Sequence, residues 1–276
     1  MKTALIQLNS SDDPEENLPV TCDFVDQAAA GGARFILTPE VTNCVSSSRT
    51  RQKQVLSHEA DDPTLAGLRE RAKQHGVWLL IGSLALKTQD ADGRFANRSF
   101  LIDPAGDIPA RYDKIHMFDV QVSETETYRE SAGYRPGRAA TLAQTDFAAI
   151  GMTVCFDIRF PYLYRALAQA GADILTVPSA FSPVTGAAHW EVLLRARAIE
   201  TGSYILAPAQ TGSHSATRGK SRQTYGHSLA VAPWGEVIAD GGTEPGVIYV
   251  DLDLGKVAQA RESIPTLQQT PKFDGP

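Results

Sequence analysis

The sequence predicts a single α/β domain in which helices alternate with buried strands. The chain has 276 residues, which suits one large domain better than two. Four short apolar segments each follow a glycine, and an amphipathic helical pattern precedes each of these glycines. The apolar content of 42% and the charged content of 21% are ordinary for a folded globular chain.

The first two helix–strand pairs lie in the first third of the chain. Apolar residues at spacings of three and four predict a helix over 18–29, and a strand follows at Ala33–Leu37. The same pattern predicts a helix over 65–72 and a strand at Val77–Ile81. Strands that are apolar throughout are typical of sheets buried on both faces. The glycine between each helix and its strand is expected to end the helix in the left-handed conformation.

The same order returns in the second half of the chain. A predicted helix over 161–170 leads to a strand at Ile174–Val177, and a predicted helix over 190–199 leads to a strand at Tyr204–Ala207. The segments GGARFILTPE and GADILTVPSA occupy equivalent places in the two halves. This similarity indicates an internal duplication.

Antiparallel hairpins are predicted between and after these pairs. A Pro-Ala-Gly turn joins Ser99–Asp103 to Ile108–Tyr112, and a Pro-Trp-Gly turn joins Ser228–Ala232 to Val237–Ala239. Val247–Leu252 is expected to be the last strand. The polar segment 115–140 is predicted to be a long irregular connection, a type of segment that often carries function.

Composition excludes several classes of protein. The net charge of −6 disfavours a sequence-independent nucleic-acid binder, which needs a basic surface. The sequence contains no run of 18 apolar residues, the length that a membrane-spanning helix needs, and the N-terminus has no signal-peptide pattern. The three cysteines are too few and too far apart for a disulfide framework, so a cytoplasmic location is expected.

Common cofactor and metal motifs are missing from the chain. It has no P-loop, no GxGxxG and no GxSxG motif. None of the six histidines is spaced for metal binding with another, and no CxxC occurs. We therefore expect neither a metal site nor an organic cofactor.

Three predicted strand ends carry residues that could do chemistry. Glu40 follows the first buried strand closely, Lys114 follows the first hairpin, and Cys155 stands where a buried strand gives way to a helix beginning at Pro161. Open α/β sheets bind ligands at the carboxyl ends of their strands. Each residue also has an ordinary alternative, namely a solvated loop glutamate, a surface lysine and a core cysteine.

The other two thiols are expected to have no chemical role. Cys22 lies on the apolar stripe of a predicted helix and should be part of the core. Cys44 lies in a polar loop and is expected to be a bystander.

A cysteine nucleophile needs a base and a group that stabilises the oxyanion. Histidine is the usual base, but no histidine here is an obvious strand-end candidate. Glutamate and lysine can do this work when burial and mutual charge tune them. Glu40, Lys114 and Cys155 therefore form a coherent set for amide hydrolysis, and the lysine is expected to favour the thiolate.

These motifs, in this order, resemble the nitrilase superfamily of carbon–nitrogen hydrolases. The resemblance rests on LTPE, YDKIHMFD, YRESAGYRPG and GMTVCFDIRFP, and it extends from residue 2 to about 265. It implies a four-layer α-β-β-α sandwich with internal pseudo-symmetry, formed by one domain over 1–265, with a polar tail over 266–276. It also implies that Glu40 is the general base, Lys114 the oxyanion stabiliser and Cys155 the nucleophile. Glu130 matches a second glutamate that orients the lysine and the substrate amide.

The resemblance also narrows the reaction. The segments RARAIE, APAQ and TYGHSLAVAPWGEVIAD resemble the branch that contains deaminated glutathione amidase and omega-amidase. This implies hydrolysis of an amide in a small anionic monoamide, most simply deaminated glutathione, to a carboxylate and ammonia. Alternatives are an omega-amidase acting on 2-oxoglutaramate, a nitrilase, aliphatic amidase or carbamoyl hydrolase of the same fold, and a non-enzymatic scaffold. The segment 120–127 departs from the usual family pattern.

Substrate contacts are expected close to the thiol. A backbone N–H near Phe156 should help Lys114 to hold the oxyanion, and Arg159 should bind a substrate carboxylate. Arg159 could instead form an internal ion pair with Asp157. Basic residues of the 212–224 loop, Arg218, Lys220 and Arg222, are further candidates for a distal carboxylate.

The resemblance further implies a homodimer or a larger homo-oligomer. In the family, the helix after the cysteine strand and the helix around Trp190 pack across a two-fold axis. Tyr162, Tyr164 and Trp190 are large groups on these helices, and the alternative is that they belong to the core.

Overall fold

A computed structural model of the chain describes residues 1–122, 124, 127–269, 271 and 274–275. The segments 120–127 and 266–276 therefore lie partly outside the described residues. The helices are α1 (Pro14–Ala30), α2 (Arg49–Val55), α3 (Pro63–His75), α4 (Pro161–Gln169), α5 (Pro183–Thr201) and α6 (Gly255–Ser263). The strands are β1 (Lys2–Gln7), β2 (Phe35–Leu37), β3 (Trp78–Leu86), β4 (Ala96–Ile102), β5 (Ala110–Asp113), β6 (Asp119–Gln121), β7 (Thr127–Arg129), β8 (Thr141–Gln144), β9 (Ala149–Met152), β10 (Ile174–Thr176), β11 (Tyr204–Ala207), β12 (Thr211–Ser213), β13 (Gln223–Tyr225), β14 (Leu229–Val231), β15 (Val237–Asp240) and β16 (Gly246–Asp251).

Two six-stranded sheets have the same topology. The first has the order β16-β1-β2-β3-β4-β5, and the second has the order β8-β9-β10-β11-β14-β15. In each sheet three parallel strands form the centre, with one antiparallel strand on one side and two on the other. Strands β2 and β10, which contain the two similar segments, occupy equivalent positions. The expected pseudo-symmetry is confirmed.

The alternation of side chains along the strands produces four layers. Phe35 and Leu37 of β2 pack in one cluster with residues of the second sheet, such as Ile174, so the two sheets face each other. Ile36, between them, packs instead against α1 and α3. Helices α4 and α5 cover the outer face of the second sheet. Both faces of the central strands are thus buried, which explains their uninterrupted apolar sequences.

Most of these helices end as predicted, at a glycine in the left-handed conformation. Gly76 and Gly202 cap α3 and α5 in the left-handed conformation, with φ of 62° and 57°. In the first repeat Gly31 keeps a right-handed φ of −71°, and Gly32 supplies the positive φ of 85°. Cys22 lies on the buried face of α1, so its expected place in the core is confirmed.

Three segments have structure that the sequence did not predict. The last strand, β16, pairs with β1 at the edge of the first sheet, which the sequence pattern did not indicate. Segment 115–140 is not wholly irregular, because β6 and β7 form a hairpin within it. In the polar tail, Thr266–Gln268 forms a 3-10 turn whose Thr266 carbonyl accepts a hydrogen bond from Arg165 of α4.

Two of the three aromatic residues considered for a subunit interface belong to the core. Tyr164 and Trp190 are 0% and 1% exposed, because both side chains point from their helices towards the second sheet. Tyr162 is 64% exposed and lies on the surface. Among the described residues, no helix combines the length and apolarity that a membrane crossing requires.

Candidate active site

The candidate site lies at one edge of the two facing sheets. Glu40 is three residues past the end of β2, and Lys114 directly follows β5. Strand β5 runs in the same direction as β2, so both residues lie at the same edge of the first sheet. Cys155 comes from the second sheet, three residues past the end of β9. The pseudo-symmetric packing brings these strand ends together.

Gly82 of β3 allows the two halves to approach this closely. A Cβ at this position would lie 2.1 Å from the carbonyl oxygen of Thr38 and 2.5 Å from Pro178 Cβ. Thr38 precedes Glu40 in the first half, and the Pro178 carbonyl accepts a 3.0 Å hydrogen bond from Cys155 N in the second. A side chain at Gly82 would therefore push apart the two segments that carry the base and the thiol.

A buried lysine joins the two glutamates. Lys114 Nζ lies 2.9 Å from Glu40 Oε1 and 3.0 and 2.9 Å from the two oxygens of Glu130. The Lys114 side chain is only 2% exposed. The backbone N–H of Phe118 also donates to Glu130 Oε2 at 2.6 Å. These contacts hold the ammonium group at one position between the carboxylates.

Asn97 completes this network, and our sequence reasoning missed it. Its Nδ2 donates to Glu40 Oε1 at 2.9 Å and to Glu130 Oε1 at 3.3 Å, while its Oδ1 is buried without a hydrogen-bond partner among the described residues. The hairpin register places Asn97 beside Lys114, whose N–H donates to the Asn97 carbonyl. The predicted hairpin began at Ser99, two residues too late to include it.

The backbone at the thiol is strained. Strand β9 ends at Met152, and Cys155 begins a short 3-10 helix, Cys155–Arg159, rather than ending the strand as predicted. Its φ of +50° is in the left-handed region, which costs a residue with a Cβ free energy. Val41, directly after Glu40, has a similar φ of +47°. Such strain persists only where the surrounding contacts enforce it.

Hydrogen bonds to Asp157 help to hold the strained turn at Cys155. Its side chain is fully buried and accepts hydrogen bonds from Val154 N at 2.8 Å and from the Tyr112 hydroxyl at 2.7 Å. It also accepts from His116 N at 3.1 Å. Tyr112 and His116 flank Lys114 in the chain, so one carboxylate ties the lysine segment to the turn that carries Cys155.

The charges of the site favour a glutamate base and a neutral thiol. Burial alone would raise the pKa of the Glu40 carboxyl, but the positive charges of Lys114 and Arg222 hold it below its ordinary value. Burial and the negative charge of Glu40 raise the pKa of the Cys155 thiol, against a smaller effect of Lys114. The expected thiolate is therefore not the resting form. At neutral pH a carboxylate faces a protonated thiol, which is the arrangement for general-base catalysis.

The lysine remains charged throughout the physiological range. Burial would lower the pKa of the Lys114 ammonium, but the carboxylates of Glu130 and Glu40 raise it well above its ordinary value. A fixed positive charge beside the thiol can stabilise an oxyanion formed there. Phe156, the residue after Cys155, lies in the first turn of the 3-10 helix, where backbone N–H groups lack intrahelical acceptors.

A cavity of about 700 Å³ opens at these residues. Glu40, Lys114, Glu130, Cys155 and Phe156 all contribute to its lining. This volume is typical of sites for small organic ligands. The structure therefore brings the four predicted catalytic residues and Phe156 together around one cavity.

Arg159 does not line this cavity. Its guanidinium lies 6.0 and 5.6 Å from the ring centres of Phe156 and Phe181, and its Nη2 is 3.2 Å from His189 Nδ1. Within the described residues it makes no ion pair with Asp157, the alternative considered above. Its expected contact with a substrate carboxylate stays a prediction.

Cys44 is not a solvated bystander. It is 1% exposed, it contributes to the cavity lining, and it packs in a small cluster with Val41 and Val45. Burial, with the negative charge of Asp12, raises the pKa of its thiol to about 12. The polar loop sequence hid this position, because the loop folds inward beside Glu40.

A buried thiol beside a carboxylate and an ammonium group defines a cysteine hydrolase that acts on carbon–nitrogen bonds. Comparison with known proteins agrees. The chain belongs to the carbon–nitrogen hydrolase family, whose model matches residues 2–262, and it is an amidohydrolase.

Individual relatives resemble the chain over nearly its whole length. It is 40% identical to the deaminated glutathione amidase of Yersinia enterocolitica, over 96% of this chain and 91% of that protein. The NitFhit protein of C. elegans superimposes with a TM-score of 0.89 at 33% identity, over 98% of this chain and 64% of that one. A mutant amidase from Nesterenkonia sp. AN1, with acrylamide added to its active-site cysteine, superimposes with a TM-score of 0.77 at 26% identity, over 96% of this chain and 98% of that one.

Proposed function

We propose that the protein hydrolyses the amide bond of deaminated glutathione or a close analogue, with Cys155 as nucleophile. The single observation that carries this proposal is the buried contact set of Glu40, Lys114 and Cys155 at the cavity. The name of the Yersinia relative supports the substrate. The cavity of about 700 Å³ has room for a glutathione skeleton as well as for a small monoamide.

The first half of the proposed cycle forms a thioester. Glu40 takes the thiol proton as the Cys155 sulfur attacks the amide carbonyl carbon. Lys114 and the Phe156 N–H stabilise the negative oxygen of the tetrahedral intermediate. The carbon–nitrogen bond then breaks as Glu40 returns its proton to the leaving amine.

The second half releases the acid. Glu40 removes a proton from water, whose oxygen attacks the thioester carbonyl. Collapse of the second intermediate breaks the carbon–sulfur bond and returns the proton to Cys155. The expectation that deaminated glutathione releases ammonia is wrong, because hydrolysis of the γ-amide of a glutathione skeleton gives cysteinylglycine. Only a primary amide, such as that of 2-oxoglutaramate, gives ammonia. The acid is the same 2-oxo dicarboxylate for deaminated glutathione and for 2-oxoglutaramate.

One assay therefore separates the leading substrate from its alternative. Release of the 2-oxo dicarboxylate should be measured from both amides, with a nitrile and a neutral amide for comparison and Cys155→Ala as the control enzyme. A higher kcat/KM for deaminated glutathione supports the proposal, and the reverse order assigns an omega-amidase. Turnover by the wild-type protein, together with no turnover by Cys155→Ala, excludes a non-enzymatic scaffold. Absence of hydrolysis of every amide by the wild-type protein contradicts the proposal.

We also propose a homodimer in the cytoplasm. Exposed apolar residues on α4 and α5 support the assembly, since Tyr162, Val192 and Ile199 are 64%, 67% and 56% exposed. The unpaired thiols support a reducing compartment. Sedimentation at micromolar concentration tests the assembly, and a species of the monomer mass of 29.8 kDa would contradict it.

A further inference from the structure

The cavity is basic in an acidic protein. Among the described residues, its lining contains five basic side chains, Arg49, Lys114, Arg129, Lys220 and Arg222, and two acidic ones, Glu40 and Glu130. The chain as a whole has a net charge of −6. A local excess of positive charge in a concave site draws in anions and holds them there.

Among these basic residues, Arg222 is placed nearest to the chemistry. Lys114 is already paired with both glutamates. Arg129 and Lys220 are exposed at the cavity mouth, whereas Arg222 is partly buried. The Arg222 charge is also the second-largest electrostatic influence that lowers the pKa of Glu40, after that of Lys114.

One residue separates the Arg222 guanidinium from the reacting atoms. Its Nη2 donates to the Ala180 carbonyl at 2.6 Å. The N–H of the same Ala180 donates to Glu40 Oε2 at 2.9 Å and also contacts the Cys155 thiol. A substrate group that binds to Arg222 therefore lies close to a substrate amide positioned at the Cys155 thiol.

The Arg222 guanidinium has unused hydrogen-bonding capacity. It carries five N–H donors. Its Nε is buried without a hydrogen-bond partner among the described residues, which is a costly arrangement in a protein alone. The ring of Tyr128 lies 5.9 Å from the guanidinium carbon and limits its movement. A planar, restrained and underused guanidinium is suited to a carboxylate.

We propose that Arg222 binds the substrate carboxylate and thereby selects anionic amides over neutral ones. This role, expected above for Arg159, is assigned to Arg222 because Arg222 lines the cavity and Arg159 does not. The inference rests on the proposed function, since it names the recognition element of the same site. Arg49 and Lys220 add to the positive field at the mouth.

Paired substrates test the proposal. Glutaramate and pentanamide share an amide end and differ in the carboxylate, so the ratio of their kcat/KM values measures carboxylate recognition. Arg222→Gln should lower this ratio by about 10- to 100-fold, the range for losing a charged hydrogen bond. Arg222→Lys should recover part of the loss. Arg138→Gln, at an exposed position outside the cavity lining, should leave the ratio at the wild-type value.

A binding measurement makes the test independent of turnover. Glutarate should bind to Cys155→Ala, and adding Arg222→Gln should weaken its Kd by about 10-fold or more. Hydrolysis with an unchanged substrate ratio in Arg222→Gln overturns this inference and leaves the proposed function standing. Glutarate binding that needs Arg222, without hydrolysis of any amide, contradicts the proposed function and leaves this inference standing. If Arg222→Gln does not fold, the same comparisons apply to Arg222→Lys, and an unchanged ratio and Kd there overturn the inference.

Discussion

Replacing Glu130 by glutamine should weaken both the fold and the reaction. The change keeps the shape of the side chain and removes one of the two negative charges in contact with Lys114. At a separation of about 3 Å and an effective dielectric constant of about 20, one such pair is worth about 5 kcal/mol before desolvation. Glutamine retains one acceptor oxygen, so the net loss should be that of a charged hydrogen bond, about 2–3 kcal/mol.

This expectation differs from the one that a polar loop suggests. From the sequence alone, Glu130→Gln should leave Tm within a few degrees, because the residue lies in a polar loop. In the structure the Glu130 side chain is 13% exposed and makes two short contacts with a lysine that is 2% exposed. For a chain of this length a loss of about 2 kcal/mol corresponds to a fall in Tm of about 5 °C.

The assay combines calorimetry with turnover of one amide at pH 8. Glu130→Gln should lower Tm by about 5 °C and kcat by about 100-fold, since Lys114 can then shift towards Glu40 and neutralise the base. Glu124→Gln removes a charge from an exposed position of the same segment and should change neither value. A variant with wild-type Tm and wild-type kcat would refute the role given to the lysine–glutamate contacts.

Three further changes probe other parts of the site. Gly82→Ala places a Cβ against the Thr38 carbonyl and should lower the free energy of unfolding by about 3 kcal/mol or more, as measured by urea denaturation. Asp157→Asn neutralises a carboxylate that accepts several buried hydrogen bonds. It should lower the free energy of unfolding by about 3–5 kcal/mol in the same measurement and cause a large loss of kcat. Arg222→Gln removes a charge that lowers the pKa of Glu40, so the acid limb of the kcat/KM profile should move to higher pH.

Each of these changes has a matched control on the same chain. Gly246→Ala introduces a methyl group where nothing lies within 4 Å, and it should be tolerated. Asp251→Asn alters an exposed aspartate, and Arg138→Gln alters an exposed arginine outside the cavity lining. Equal effects in a variant and its control would show that the contact in question is not responsible. An acid limb that moves to lower pH in Arg222→Gln would contradict the sign of the charge effect on Glu40.

Much of the fold could be predicted because local patterns and tertiary structure agree. Apolar segments such as Ile174–Val177 are buried on both faces, and the helices before them end at or next to the predicted glycines. The start of α5 was predicted less well, because this helix begins at Pro183 and the prediction began at 190. The pairing of β16 with β1 could not be predicted, because it joins opposite ends of the chain and no local pattern encodes the partner of a strand. The same holds for Tyr164 and Trp190, whose burial depends on which side of a helix meets the second sheet.

The residues of the site likewise include some that the sequence predicts and others that only the fold brings together. Glu40, Lys114 and Cys155 are visible as polar residues close behind predicted strands. Asn97 is found only through the register of β4 against the Lys114 segment, and Arg222 only through its contact with Ala180. The raised pKa of the thiol likewise depends on burial and on the distance to Glu40, neither of which a sequence contains.

The most direct test of the central claim is the mass of the protein during turnover. Acid quenching of the enzyme with an amide substrate, followed by mass spectrometry, should show one acyl group per chain, located on the peptide that contains Cys155. Cys155→Ala, with Cys22 and Cys44 intact, should show no adduct and should lose turnover by several orders of magnitude. Full turnover by Cys155→Ala, or an acyl group located on another residue, would contradict the account.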